Sequence, residues 1–121
     1  MSTELATDYI TSMSTEIWAN TEAGAPFGED LEAFENGETG APELSAYDYL
    51  RDVLDIEYRV DGSKRYRSAK ILIGYGGPNV WIDTATKELV VAWWSAPERR
   101  DLPEQFCAEL DEALEDLWSM N

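Results

Sequence analysis

Apolar residues recur at helical spacing near both ends of this chain and at every second position between them. That double change of period constrains the fold more than any other feature. In the middle, Ile56, Tyr58 and Val60 alternate with Glu57, Arg59 and Asp61, which predicts a half-buried strand. Asp61-Gly62 is a hairpin signal, and Arg67 to Tyr75 reads as a second strand burying Ala69, Ile71 and Ile73. Asn79 to Thr84 reads as a third strand, Ala85 to Lys87 as a short turn, and Glu88 to Ser95 as a fourth strand that is apolar on both faces. Because every connection is short, the simplest assembly is a four-stranded antiparallel meander.

The flanking segments read as helices. From Glu4 to Asn20 the stripe is Ala6, Ile10, Met13 and Ile17, with Ser2 or Thr3 as cap and Trp18 extending the buried edge. Residues 24–41 form an acidic, glycine-rich loop in which Leu31 and Phe34 pin at most a helical turn. Pro42 suits the first turn of a second helix running to about Asp55 and burying Ala46, Leu50, Val53 and Leu54, with Tyr47 alongside. In the last segment Asp101 and Glu104 have capping-box spacing, Pro103 sits in the first turn, and Phe106, Leu110, Leu114 and Leu117 form the buried stripe, with Trp118 at its edge. The expected fold is therefore α+β, a single domain over residues 1–121: two N-terminal helices, the meander, and a C-terminal helix packed on the sheet.

Charge is sorted along the same divisions. Met1 to Glu57 holds fourteen acids and one base, Tyr58 to Arg100 holds four acids and eight bases, and Asp101 to Asn121 holds seven acids and no base. The net of −16 repels nucleic acid and anionic membranes and attracts basic surfaces. Such charge with few apolar residues would read as disorder, but 44% of this chain is hydrophobic and it holds five Trp, six Tyr and three Phe, which need a core. Apolar runs such as Leu89 to Trp94 are too short to span a bilayer, and the N-terminus does not read as a signal peptide. The expected location is the cytoplasm, with which the single cysteine, Cys107, agrees.

The absence of histidine removes the commonest general base and the commonest metal ligand. Cys107 lies among acids that would raise its pKa and reads as an inert, partly buried thiol. Asp83, Lys87 and Glu88 superficially suit a metal-dependent nuclease but sit around a hairpin turn. Gly74-Tyr75-Gly76-Gly77-Pro78 looks like a phosphate-cradling loop, but such loops precede a helix and this one precedes a strand, so it reads as a bulge or tight turn. The expectation is no enzyme, no cofactor and no metal.

Three surfaces remain as candidates. Lys64, Arg65, Arg67 and Lys70, beside Tyr66, read as a hairpin tip that pairs with the protein's own acids or orients a homodimer. Trp81 and Trp93 are expected to share a face with Asp83, as a small second core or as an exposed aromatic strip for a partner. On the last helix Glu109, Glu112 and Asp116 form one ridge, with Glu104, Asp111 and Glu115 along its neighbour, and Glu29, Asp30, Glu32, Glu35 and Glu38 extend the track through the loop. Carboxylates about 5 to 6 Å apart on a rod roughly imitate nucleic-acid phosphates. A face built only for solubility would usually mix its signs, although an acidic proteome would also yield this pattern.

The segment Gly76-Gly77-Pro78-Asn79-Val80-Trp81-Ile82-Asp83-Thr84 follows Leu54-Asp55-Ile56-Glu57-Tyr58 and precedes Trp93-Trp94 and Leu117-Trp118. Over residues from about 45 to 120 it resembles small acidic accessory proteins of conjugative elements and prophages in gut bacteria. The resemblance implies a mobile-element setting, where short acidic proteins often inhibit host defence. In charge and size, though not in motif, the chain is similar to DNA-mimic antirestriction and anti-CRISPR proteins. The leading expectation is a non-enzymatic inhibitor whose acidic face occupies the basic DNA channel of a Cas effector or restriction enzyme. The alternative is an interaction module that binds a basic mobile-element protein through Trp81 and Trp93.

Overall fold

A computed structural model of the chain describes residues 2–28, 44–93 and 96–120. Among these the order is α1 (Ser2–Glu22), α2 (Ala46–Arg51), β1 (Asp55–Val60), β2 (Tyr66–Gly74), β3 (Asn79–Asp83), β4 (Glu88–Ala92), β5 (Glu98–Asp101) and α3 (Glu104–Ser119). The five strands form one antiparallel sheet in sequence order, confirming the α+β meander and adding a fifth strand.

Side chains directly opposite one another in an antiparallel pair share a face. The register aligns Ile56 with Ile71, Ile71 with Ile82 and Ile82 with Leu89, while Val80 faces Val91. These residues, with Ala69, make one apolar face. Ile10 and Ile17 of α1 and Phe106, Leu110, Ala113 and Leu114 of α3 join them in a single buried cluster. α1 lies over β4 and β5, α3 lies over β2, and α2 packs against α3. Phe27, just after α1, closes the helical side against Tyr49 and Phe106 at ring distances of 5.4 and 5.0 Å.

α1 ends at a left-handed glycine, Gly24, with φ +87° and a bond from Ala25 N–H to Asn20 C=O of 2.9 Å. Ser2 and Thr3, expected as caps, already lie within this helix. Trp18, expected at the buried edge, is exposed, although its indole N–H donates to Asp101 C=O at 3.0 Å. α2 starts later and ends earlier than expected. Ser45 accepts from Asp48 N–H while Asp48 accepts from Ser45 N–H, a capping box that sets the start at Ala46. Pairing of Asp55 with Leu72 ends the segment, because Asp55 already belongs to β1. Leu54, expected in the core, is 59% exposed, whereas Val53 packs on the cluster.

The Asp61–Gly62 hairpin is present. Asp61 Oδ1 accepts from Ser63 N–H at 2.8 Å and from Arg65 N–H at 3.0 Å, and Lys64 adopts φ +62°. A bulge between Arg59 and Val60 lies just before this turn, and Val60, expected to be buried, is exposed there. The glycine-rich segment is a turn with a bulge, as expected. A Cβ on Gly74 would meet Val80 Cγ2 at 3.1 Å, so a side chain there would require Val80 to shift by a few tenths of an ångström. Gly76 has φ +104°, its N–H donates to Asn79 Oδ1 at 2.9 Å, and the Gly77–Pro78 peptide is cis. β3 follows at once.

β5 displaces the expected cap of the last helix. Asp101 ends that strand opposite Glu88, and α3 begins after Pro103 without a side-chain cap. β4, expected to reach Ser95, ends at Ala92, and residues 94–95 lie outside the described set, as do Leu31, Phe34 and Pro42. Among the described residues no helix is long and apolar enough to cross a membrane.

Phe106 and Leu54 separate buried from exposed positions. Phe106→Ala should lower unfolding free energy by about 3–5 kcal/mol, and Leu54→Ala should stay within about 0.5 kcal/mol, both read from urea denaturation monitored by circular dichroism.

Candidate functional site

α3 carries the candidate surface. Its apolar stripe is clamped to the sheet and turns the polar positions outward, so packing decides which carboxylates face solvent. Glu104, Glu112, Glu115 and Asp116 are exposed, while Glu109 and Asp111 are half-buried at the flanks. From Glu104 to Asp116 the helix rises roughly 18 Å, and its six carboxylates are separated along the axis by about 3.6 Å on average, close to the ~3.4 Å per phosphate of one strand of duplex DNA.

Neutral donors orient three of these six acids. The Tyr66 hydroxyl donates to Asp111 Oδ1 at 2.5 Å, the Tyr47 hydroxyl donates to Asp116, and Gln105 Nε2 donates to Glu109 at 3.2 Å. Bonding to Asp116 raises the Tyr47 pKa; burial, then the bond to Asp111, raises that of Tyr66. Both phenols therefore stay protonated and hold the carboxylates in place without cancelling their charge. Among the described residues only Glu104 of these acids meets a cation, Lys87 at 3.3 Å, and both of those side chains are well exposed. Glu112 and Glu115 form no side-chain hydrogen bond or ion pair among the described residues. α1 adds exposed Asp8, Glu16 and Glu22 to the same helical layer. Together α1 and α3 hold ten acids and no base.

Glu29, Asp30, Glu32, Glu35 and Glu38 lie outside the described residues. Trp81 and Trp93 do not form a common strip. Trp81 aligns with Val90, on the face away from the helices, where Lys70 Nζ sits 4.7 Å from its ring centre. Trp93 continues the register of Val91 and packs against the helix-side cluster and Gly77. Strand alternation separates them, because Asn79 pairs with Ala92, which leaves Trp81 two residues along that same face and Trp93 one residue off it.

Asp83, Lys87 and Glu88 each find a different partner. Arg59 grips Asp83 with two bonds of 2.9 Å, and Ala85 and Thr86 N–H groups also donate to it. Glu88 pairs with Arg99 at 3.3 Å. Among the described residues no three acids or cysteines converge as metal ligands would. Cys107 is buried, and burial followed by Asp111 pushes its thiol up to about 12. The hydroxyl donors Tyr47 and Tyr66 had no signal in the sequence, since their acceptors lie 69 and 45 residues away.

No protein-family model, no curated protein and no solved structure matches this chain.

The Arg59 guanidinium holds Asp83 below the usual carboxylate range. A depressed carboxylate contributes stability above its unfolded pKa of about 3.9, and that contribution is lost as pH falls through the folded value. Asp83→Asn should therefore be less stable than the native chain at pH 7. The gap should close as urea denaturation is repeated from pH 5 downward.

Proposed function

We propose that this protein is a non-enzymatic anti-defence inhibitor, acting in a bacterial cytoplasm and encoded by a mobile element. Its acidic helical face occupies the basic DNA channel of a nuclease complex, a Cas effector or a restriction enzyme, and excludes DNA by competition. The observation that carries this reading is the presentation of the α3 carboxylates. Their mean rise along the axis is near that of phosphates, three of the six are held by phenol and amide donors, and among the described residues Lys87 is the only cation bonded to any of them. A partner's Lys and Arg residues would meet charge that the protein has not already neutralised.

Association through such a face is fast and falls steeply with salt, because long-range attraction governs the encounter. The site needs no reacting group, in keeping with a chain that has no histidine and a buried cysteine. With Trp81 and Trp93 on opposite faces, the aromatic-strip alternative has no continuous surface to use.

The test starts with a pull-down from host lysate at low salt followed by a high-salt wash, with the captured nuclease complex then assayed for DNA binding. Inhibition should be overcome by excess DNA, and Glu109→Lys, Glu112→Lys and Asp116→Lys combined should reduce it at least about 100-fold, the scale of two lost charge-assisted contacts. The circular dichroism spectrum should stay native. Retained inhibition by a folded triple variant, or a partner that resists the salt wash, would overturn the reading.

A further inference from the structure

The nine Lys and Arg residues divide into two sets. Arg51, Arg59, Lys87, Arg99 and Arg100 each pair with an acid, and Lys70 lies over Trp81. Lys64, Arg65 and Arg67 are exposed and form no ion pair among the described residues. In a chain with twenty-five acids, the three bases without an ion pair among the described residues all fall on the β1–β2 hairpin, where Arg67 acts on Asp61 only through its charge. Asp61 caps the turn by accepting from the backbone N–H groups of Ser63 and Arg65, and the Arg65 side chain is exposed.

This tip stands directly beside the end of α3. Trp118 donates from its indole N–H to Lys64 C=O at 2.8 Å and lies 5.2 Å from the Tyr58 ring. Between the two elements runs an open groove of about 490 Å³. The hairpin lines it with Lys64, Arg65 and Tyr66, and α3 lines it with Glu115, Trp118 and Ser119. The corner thus brings two bases, two aromatic residues and one acid together within one small area, and Glu115 has no side-chain partner among the described residues.

We propose that this corner is a self-association surface that docks against the same corner of a second copy of the chain. A two-fold axis beside Trp118 places Lys64 and Arg65 of each copy against Glu115 of the other, and the patch is self-complementary under that operation. Charge complementarity selects this partner, since nucleic acid would meet the acids of α3 next to the hairpin bases. The overall −16 of each copy opposes association over long range. At 0.15 M salt, however, the Debye length is about 8 Å, so distant repulsion is largely screened while contact pairs keep more of their strength. The inference does not depend on the anti-defence reading, whose test uses Glu109, Glu112 and Asp116.

Sedimentation equilibrium at physiological salt tests it with Arg65→Glu and Glu115→Arg, each checked for a native circular dichroism spectrum. The native chain should dimerise. Each variant alone should dimerise at least about tenfold more weakly, because both symmetry-related contacts between positions 65 and 115 become like-charged. An equimolar mixture of the two should restore the dimer, since one contact is then native and the other is its charge-reversed equivalent. A monomeric native chain up to millimolar concentration, a dimer indifferent to both variants, or a mixture that stays monomeric would overturn the proposal. So would hairpin-dependent binding of a duplex oligonucleotide by a chain that does not self-associate.

Discussion

Everything else in the molecule hangs on the packing of α3 against the row of Ile71, Ile82 and Leu89. Phe106, Leu110 and Leu114 are fully buried there, each contributing about 1.5–3 kcal/mol by leaving water. Against this stands the repulsion among the helix's own acids. Glu109 and Glu112, Asp111 and Glu115, Glu112 and Glu115, and Glu112 and Asp116 are like-charged neighbours one turn apart, together costing about 1–2 kcal/mol. Packing wins by a wide margin, so the helix can carry a face that would be a poor choice in isolation.

The same balance explains how the acids are arranged. Glu115 and Asp116 lie in the last turns, where the helix dipole disfavours negative charge, and no base is present in that turn. A sequence selected for stability alone would place Lys or Arg there. Instead, tyrosines from α2 and β2 reach across with neutral hydroxyls. They satisfy the carboxylates and leave the field intact. The field is therefore a property that the fold supports rather than relieves.

Bases, by contrast, are spent on the sheet. Arg59 reaches across β2 to Asp83, Arg99 meets Glu88, and Arg100 meets Glu98 beneath α1. These pairs hold the polar edges of a five-stranded sheet whose last strand has no apolar residue at all. Charged, short edge strands resist pairing with stray chains, and β5 combines both features beneath a covering helix.

The sequence by itself determined the elements with strong periodicity: α1, the four apolar strands and α3. Their burial follows from local spacing, which is physics contained within a dozen residues. It also determined the acid content of each helix and the likelihood that Gly74 to Pro78 is a turn, because glycine spacing before a strand leaves little else. Only the tertiary structure decided the rest. Glu98–Asp101 has no alternating pattern and becomes a strand because β4 supplies its hydrogen-bond partners and α1 its cover. Trp81 and Trp93 part company because inter-strand register, a non-local quantity, assigns their faces. The tyrosine–carboxylate bonds, and the absence of an ion pair for Lys64, Arg65 and Arg67 among the described residues, depend on which distant residues meet. No short-range propensity encodes such meetings; the core, by fixing helices on one face of the sheet, does.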